Sequence, residues 1–128
     1  MENLWDQGQA DSLANNLLSL RVYSSRLIGR DSTLVLHGGG NTSVKGDYTD
    51  IFGVSHDVLY VKGSGWDLAT IEAGGFSPVK METLLALAEL ESLSDADMVT
   101  AQRGAMMDPS APTPSVEAIL HALIPFRF

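Results

Sequence analysis

Residues 34–45, LVLHGGGNTSVK, constrain this chain more than any others. An apolar run gives way there to consecutive glycines and then to small polar side chains. Leu34, Val35 and Leu36 read as a short buried strand. Gly38, Gly39 and Gly40 let the backbone take positive φ angles or approach a ligand closely, and Asn41, Thr42 and Ser43 follow as donors. Such a turn offers N–H groups and hydroxyls to an anion. Neither GxxxxGK[ST] nor GxGxxG is present, however, and a plain hairpin is the competing reading.

The theme occurs twice. Residues 57–61, DVLYV, have β-branched and aromatic strand character and run straight into Lys62, Gly63, Ser64 and Gly65. Two glycine-hydroxyl turns at one sheet edge could share a ligand. Between them, residues 42–45 suggest a strand and residues 46–49 a loop.

Around these turns the pattern predicts helices. Asp11 and Ser12 can cap one that ends near Gly29, with Leu13, Leu17, Leu20 and Leu27 on one stripe. Its Arg21, Arg26 and Arg30 read as a solvated face, with a grip on an anion or a neighbouring subunit as the alternative. Residues 71–78 read as an irregular connection with a short strand. Met81, Leu84, Leu85 and Ala88 then form an amphipathic stripe, with Glu82, Glu89 and Glu91 off it. Residues 95–106 suggest a further helix, with Met106 and Met107 as core filler. Three prolines make residues 108–114 an ordered loop.

Thr113 suits an N-cap and Pro114 a first helical position, with Val116, Ile119, Leu120 and Leu123 as the apolar stripe up to Pro125. Ser115 would lie in the first turn, where free N–H groups favour an anion. Glu117 and His121, four apart, share a face and read either as an acid/base pair or as a structural hydrogen-bonded pair. His37 and His56 show no ligand-like spacing and receive no role.

Composition bounds the rest. With 128 residues the chain is expected to form a single domain, 1–128, with a sizeable core. Sixteen acidic against eight basic residues give a net charge of -8, a field that repels nucleic acid and anionic lipid, so any anion site must be local. Without cysteine there is no disulfide framework and no thiolate zinc site. No apolar run approaches a membrane span and no secretory leader is evident, which leaves a cytoplasmic protein as the expectation.

Three segments together, Gly40-Asn41-Thr42-Ser43, Lys62-Gly63-Ser64-Gly65 and Pro114-Ser115-Val116-Glu117 running on to His121, resemble the class II aldolase/adducin family. The wording LHGGGNTSVK followed by VLYVKGSGWDL looks like the aldolase portion of predicted bifunctional rhamnulose-phosphate aldolase/dehydrogenase proteins. The resemblance implies a three-layer α/β/α fold with a largely antiparallel central sheet. It also implies a homo-oligomer and zinc-dependent retro-aldol cleavage of a ketose phosphate. By motif position Gly40, Asn41, Ser64, Gly65 and Ser115 would hold the phosphate, Thr42 and Ser43 would support the turn, and Glu117 would be the general acid/base.

Two departures accompany the resemblance. Val116 stands where the family commonly has a second serine, so one hydroxyl is missing. The chain also ends at Phe128, before the His-x-His strand that would carry zinc ligands; His37, His56 and His121 do not match those positions, and no metal ligand is assigned. The expectation is a C-terminally truncated aldolase-like domain, inactive as this fragment. An adducin-like interaction module without catalysis is the alternative. An exposed sheet edge and apolar face would favour self-association.

Overall fold

The computed structural model describes residues 2–128. Helices α1 (Gln7–Leu13) and α2 (Leu17–Gly29) lead into a long loop, then the hairpin β1 (Ser43–Thr49) and β2 (Ser55–Lys62). Two 3-10 turns, Leu68–Thr70 and Ala73–Gly75, precede β3 (Phe76–Lys80). Helices α3 (Met81–Ala88), α4 (Asp95–Gly104) and α5 (Ala118–Leu123) complete the chain. The sheet is antiparallel in the order β1-β2-β3, which makes this an α/β fold.

Successive residues of β2 face opposite sides, so each side of the sheet acquires its own core. Leu59 and Val61, fully buried, join Val79, Leu84, Ala105, Ala118 and Ala122, which brings α3 and α5 against one side. Tyr60 belongs to a second cluster of Leu68, Ile71 and Phe76 with Leu18, Val22 and Ile28 of α2. On this second side α2 runs very close to the 3-10 turn. A Cβ on Gly29 would lie 2.2 Å from the Ala69 nitrogen and 2.5 Å from the Leu68 carbonyl carbon.

Several predicted elements shift. The first helix is two helices, because Asp6 caps α1 and Asn16 caps α2, each accepting from an N–H three residues on (3.1 Å). That break resets the phase, so Leu18, Val22 and Ile28 pack inward rather than the predicted leucine stripe. Residues 34–36 are not a strand: Leu34 and Leu36 are exposed, and only Val35 packs against the α2 side. Residues 46–49, predicted as loop, pair with residues 55–58 as the outer half of β1, where cross-strand pairing overrides the poor propensity of Gly46 and Asp47.

The last helix also begins late. It opens at Ala118 with Glu117 as N-cap, so Thr113 and Pro114 lie in the preceding loop and Ser115 is not in a helical first turn. Pro114 instead bridges to Gly63. Val116, Leu120 and Leu123 are consequently exposed, while Ala118 and Ala122 form the buried face with partly buried Ile119 beside them. Among the described residues no helix is long and apolar enough to cross a membrane.

Candidate functional site

The antiparallel register explains how two turns distant in sequence meet. Ser43, at the start of β1, pairs with Val61 near the end of β2, so the glycine turn entering β1 lies beside residues 63–65 leaving β2. The Gly63–Pro114 bridge adds the segment before α5, and Ser115 donates its N–H to the Lys62 carbonyl (3.3 Å). These contacts enclose a cleft of about 480 Å³. Gly40, Asn41, Ser64, Gly65, Ser115 and Glu117, all singled out from sequence, line it together with Gly38, Gly39, Lys62 and Gly63.

Close packing shapes the wall. A Cβ at Gly63 would meet the Pro112 ring at 2.3 Å, so only glycine lets the two segments touch. Gly38, Gly40 and Gly65 have φ of 75°, 76° and 90°, a region that L side chains rarely adopt. Asp67 fixes the first turn by accepting the Gly38 N–H on one carboxylate oxygen and holding the exposed His37 ring with the other, 2.9 Å from Nδ1.

Thr42 and Ser43 stand behind the cleft rather than in it. Both are buried. Thr42 is hydrogen-bonded through its hydroxyl to Ser25 of α2 (2.7 Å), and Ser43 through its hydroxyl to His121 Nδ1 of α5 (2.7 Å). These bonds tie the entry of β1 to α2 and α5, and the hydrogen-bond partner of His121 is Ser43, not Glu117. Glu117 is exposed at the cleft, with its backbone N–H bonded to the Ser115 hydroxyl (3.2 Å).

Several donors around the cleft are unused. The N–H groups of Gly40, Asn41 and Gly65 find no acceptor among the described residues. The Ser64 N–H is taken by the Thr113 carbonyl (3.0 Å), and its hydroxyl makes only a long contact of 3.5 Å to the same oxygen. The Asn41 side-chain oxygen is buried without a partner. Free N–H groups on successive positive-φ turns form a concavity suited to an oxyanion.

Lys62 escaped the sequence reading, which treated it as the flank of a turn. It is only 7% exposed, and among the described residues no carboxylate lies within ion-pair distance of it. A lysine this enclosed normally has a counter-charge. Its position at the last residue of a strand, directly before a donor turn, was the available signal.

Burial holds the His121 imidazole below its ordinary value, and Arg21 pushes it in the same direction against the opposing pull of Glu117. The unfolded chain therefore takes up this proton more readily than the folded one. The stability involved is present above about pH 6.5 and is lost as the pH falls through the depressed folded value. Asp31, Asp50 and Asp108, held low by neighbouring hydrogen bonds, weaken only nearer pH 4. Urea midpoints for the wild type are expected to fall between pH 7 and 5, and His121→Asn, which keeps a polar atom at Nδ1 without titrating, should fall less.

No family model matches the chain. A curated relative from Bacillus subtilis (strain 168), the uncharacterized oxidoreductase YuxG, is 39% identical over 127 residues. That match covers 99% of this chain but 18% of the relative. Among solved structures, the N-terminal class II aldolase domain of a conserved protein from Thermoplasma acidophilum matches with a TM-score of 0.79 and 48% identity. It covers 84% of this chain, which spans half of that structure.

Proposed function

We infer that this chain, similar in sequence and fold to a class II aldolase domain of which it spans half, supplies the substrate-phosphate and proton-transfer part of an aldolase-type active site. The carrying observation is the convergence of Gly40, Asn41, Ser64, Gly65, Ser115 and Glu117 on one cleft. The substrate class is a ketose phosphate, handled in the cytoplasm. The free N–H groups of Gly40, Asn41 and Gly65 would bind the phosphate oxygens, with the Asn41 carboxamide and the Ser64 and Ser115 hydroxyls around them. Lys62 would supply the positive charge that a dianion needs inside a chain of net charge -8. The clusters flanking the sheet, one with α3 and α5 and one with α2, would be the outer layers of an α/β/α arrangement.

Glu117 would take and return a proton as a carbon–carbon bond is broken or made. Its backbone at the cleft is anchored by its position one turn before His121, which ties α5 to β1 through Ser43, and by its own N–H on the Ser115 hydroxyl. In the family that the sequence resembles, a zinc ion would supply Lewis-acid chemistry. Among the described residues no three His, Asp or Glu side chains converge, so the cleft does not fit a catalytic zinc. On this reading the 128-residue chain binds ketose phosphates without cleaving them.

Titration with inorganic phosphate and a ketose phosphate, followed by amide chemical shifts, tests this reading. Saturable shifts at Asn41, Ser64, Gly65 and Ser115 are expected, with none at the hairpin turn of residues 50–54. Unmoved cleft amides would leave an adducin-like interaction module as the account.

A further inference from the structure

We propose that the cleft between α1 and α2 binds a small monocarboxylate with an apolar body, held by the guanidinium groups of Arg26 and Arg30. The cleft has a volume of about 370 Å³ and shares no lining residue with the cleft of the glycine turns. Leu13 of α1 and Val22 and Leu27 of α2 form its apolar walls. Its frame is tied together without a ligand. The Tyr23 hydroxyl accepts the Asp6 N–H (2.9 Å), which joins the start of α1 to α2, and the Tyr23 ring pairs with Trp5 at 5.4 Å between centroids. A preformed cleft loses little freedom when it is filled.

The two arginines give the cleft its chemistry. They stand four apart on α2 and both line it, so two like charges share one helix face. Arg26 donates Nε to the Ile71 carbonyl (2.7 Å), which fixes the plane of the guanidinium. Its Nη groups have no acceptor among the described residues, and they form the fork from which a carboxylate accepts two hydrogen bonds. Among the described residues the only ion pairs are His37–Asp67 and His56–Asp50, so neither arginine has a carboxylate within ion-pair distance. Cations near a helix C-terminus complement its dipole, which accounts for positive charge at the end of α2. It does not account for a fixed guanidinium bordering a half-apolar hollow.

Glu72 selects among anions. It borders the same cleft, outside ion-pair distance of both arginines, so two cations and one anion leave a single positive charge there. A monoanion matches that balance, whereas a dianion such as phosphate would also meet the glutamate. Apolar walls with a few converging polar groups suit a small organic ligand.

Titration of the whole chain with phenylacetate, followed by amide and arginine Nε chemical shifts, tests this. Saturable shifts are expected at Val22, Tyr23, Arg26 and Ala73, with a Kd in the low millimolar range or tighter, and none at Asn41 or Gly65. Inorganic phosphate should leave the first group unmoved, so this site and the phosphate cleft report through different amides. Arg30→Gln, at an exposed position, should weaken phenylacetate binding about tenfold and leave the urea midpoint unchanged. Arg26→Lys keeps the charge and loses the fork, and should weaken binding by at least as much. A wild type without saturable shifts, unchanged affinity in either variant, or saturable shifts of the same amides with inorganic phosphate would each overturn the proposal.

Discussion

Exchanging Lys62 for methionine is expected to weaken inorganic phosphate binding about tenfold to a hundredfold, the ~1.5–3 kcal/mol of a hydrogen bond to a charged group. The same change should leave the fold as stable as before or raise its urea midpoint. The opposite signs follow from one fact: Lys62 is almost wholly enclosed and has no carboxylate within ion-pair distance among the described residues. Holding an ammonium there costs solvation in the empty protein, and a bound phosphate offsets that cost. Methionine keeps the length of the aliphatic stem and removes the cost together with the attraction. Calorimetric titration and a urea curve on one preparation read both effects. Loss of stability with unchanged phosphate affinity would make Lys62 a packing residue and remove it from the site.

Gly29→Ala should produce the largest loss of stability of any single methyl group added to this chain, about 3 kcal/mol or more. The new Cβ would fall within 2.5 Å of two backbone atoms of the 3-10 turn, and backbone cannot swing aside as a flexible side chain can. Relief requires moving α2 away from the cluster of Leu68, Ile71 and Phe76. A melting temperature lower by about 10 °C is expected. A change of a degree or two would mean that α2 is held less firmly than its close crossing implies.

What could be read from sequence was local. Residues 57–61 carry strand character and Met81 to Ala88 a helical stripe over enough positions to decide an element, and β2 and α3 form there; the helix suggested over 95–106 forms as α4 and stops two residues earlier, at Gly104. Three apolar residues at 34–36 are too few to separate strand from loop, and only their neighbours show that Val35 alone turns inward. Gly46 and Asp47 read as loop because propensity cannot register the partner strand that recruits them. The stripe of Val116, Leu120 and Leu123 failed for a different reason: the helix starts four residues later than its proline suggests, so alanines take the buried face.

The candidate site was more legible than the fold around it. Glycines at the two turns are demanded by backbone geometry and leave a mark in the sequence, whereas Lys62 and His121 matter through neighbours that sequence does not reveal. The resemblance to class II aldolases joined the three segments before any contact between them was visible, and the β1–β2 register accounts for their meeting.

The paired anchors behind the cleft have a consequence for how this chain can change. Thr42 is tied to α2 and Ser43 to α5, so the entry to β1 is pinned from both sides of the sheet. Upstream, residues 31–37 are largely exposed and form no strand. Gly40 and Asn41 precede those pins and Gly40 lies against Val35, so the exposed positions Ser32, Thr33, Leu34 and Leu36 are the ones at which exchanges can alter the surface beside the cleft while β1 stays where it is.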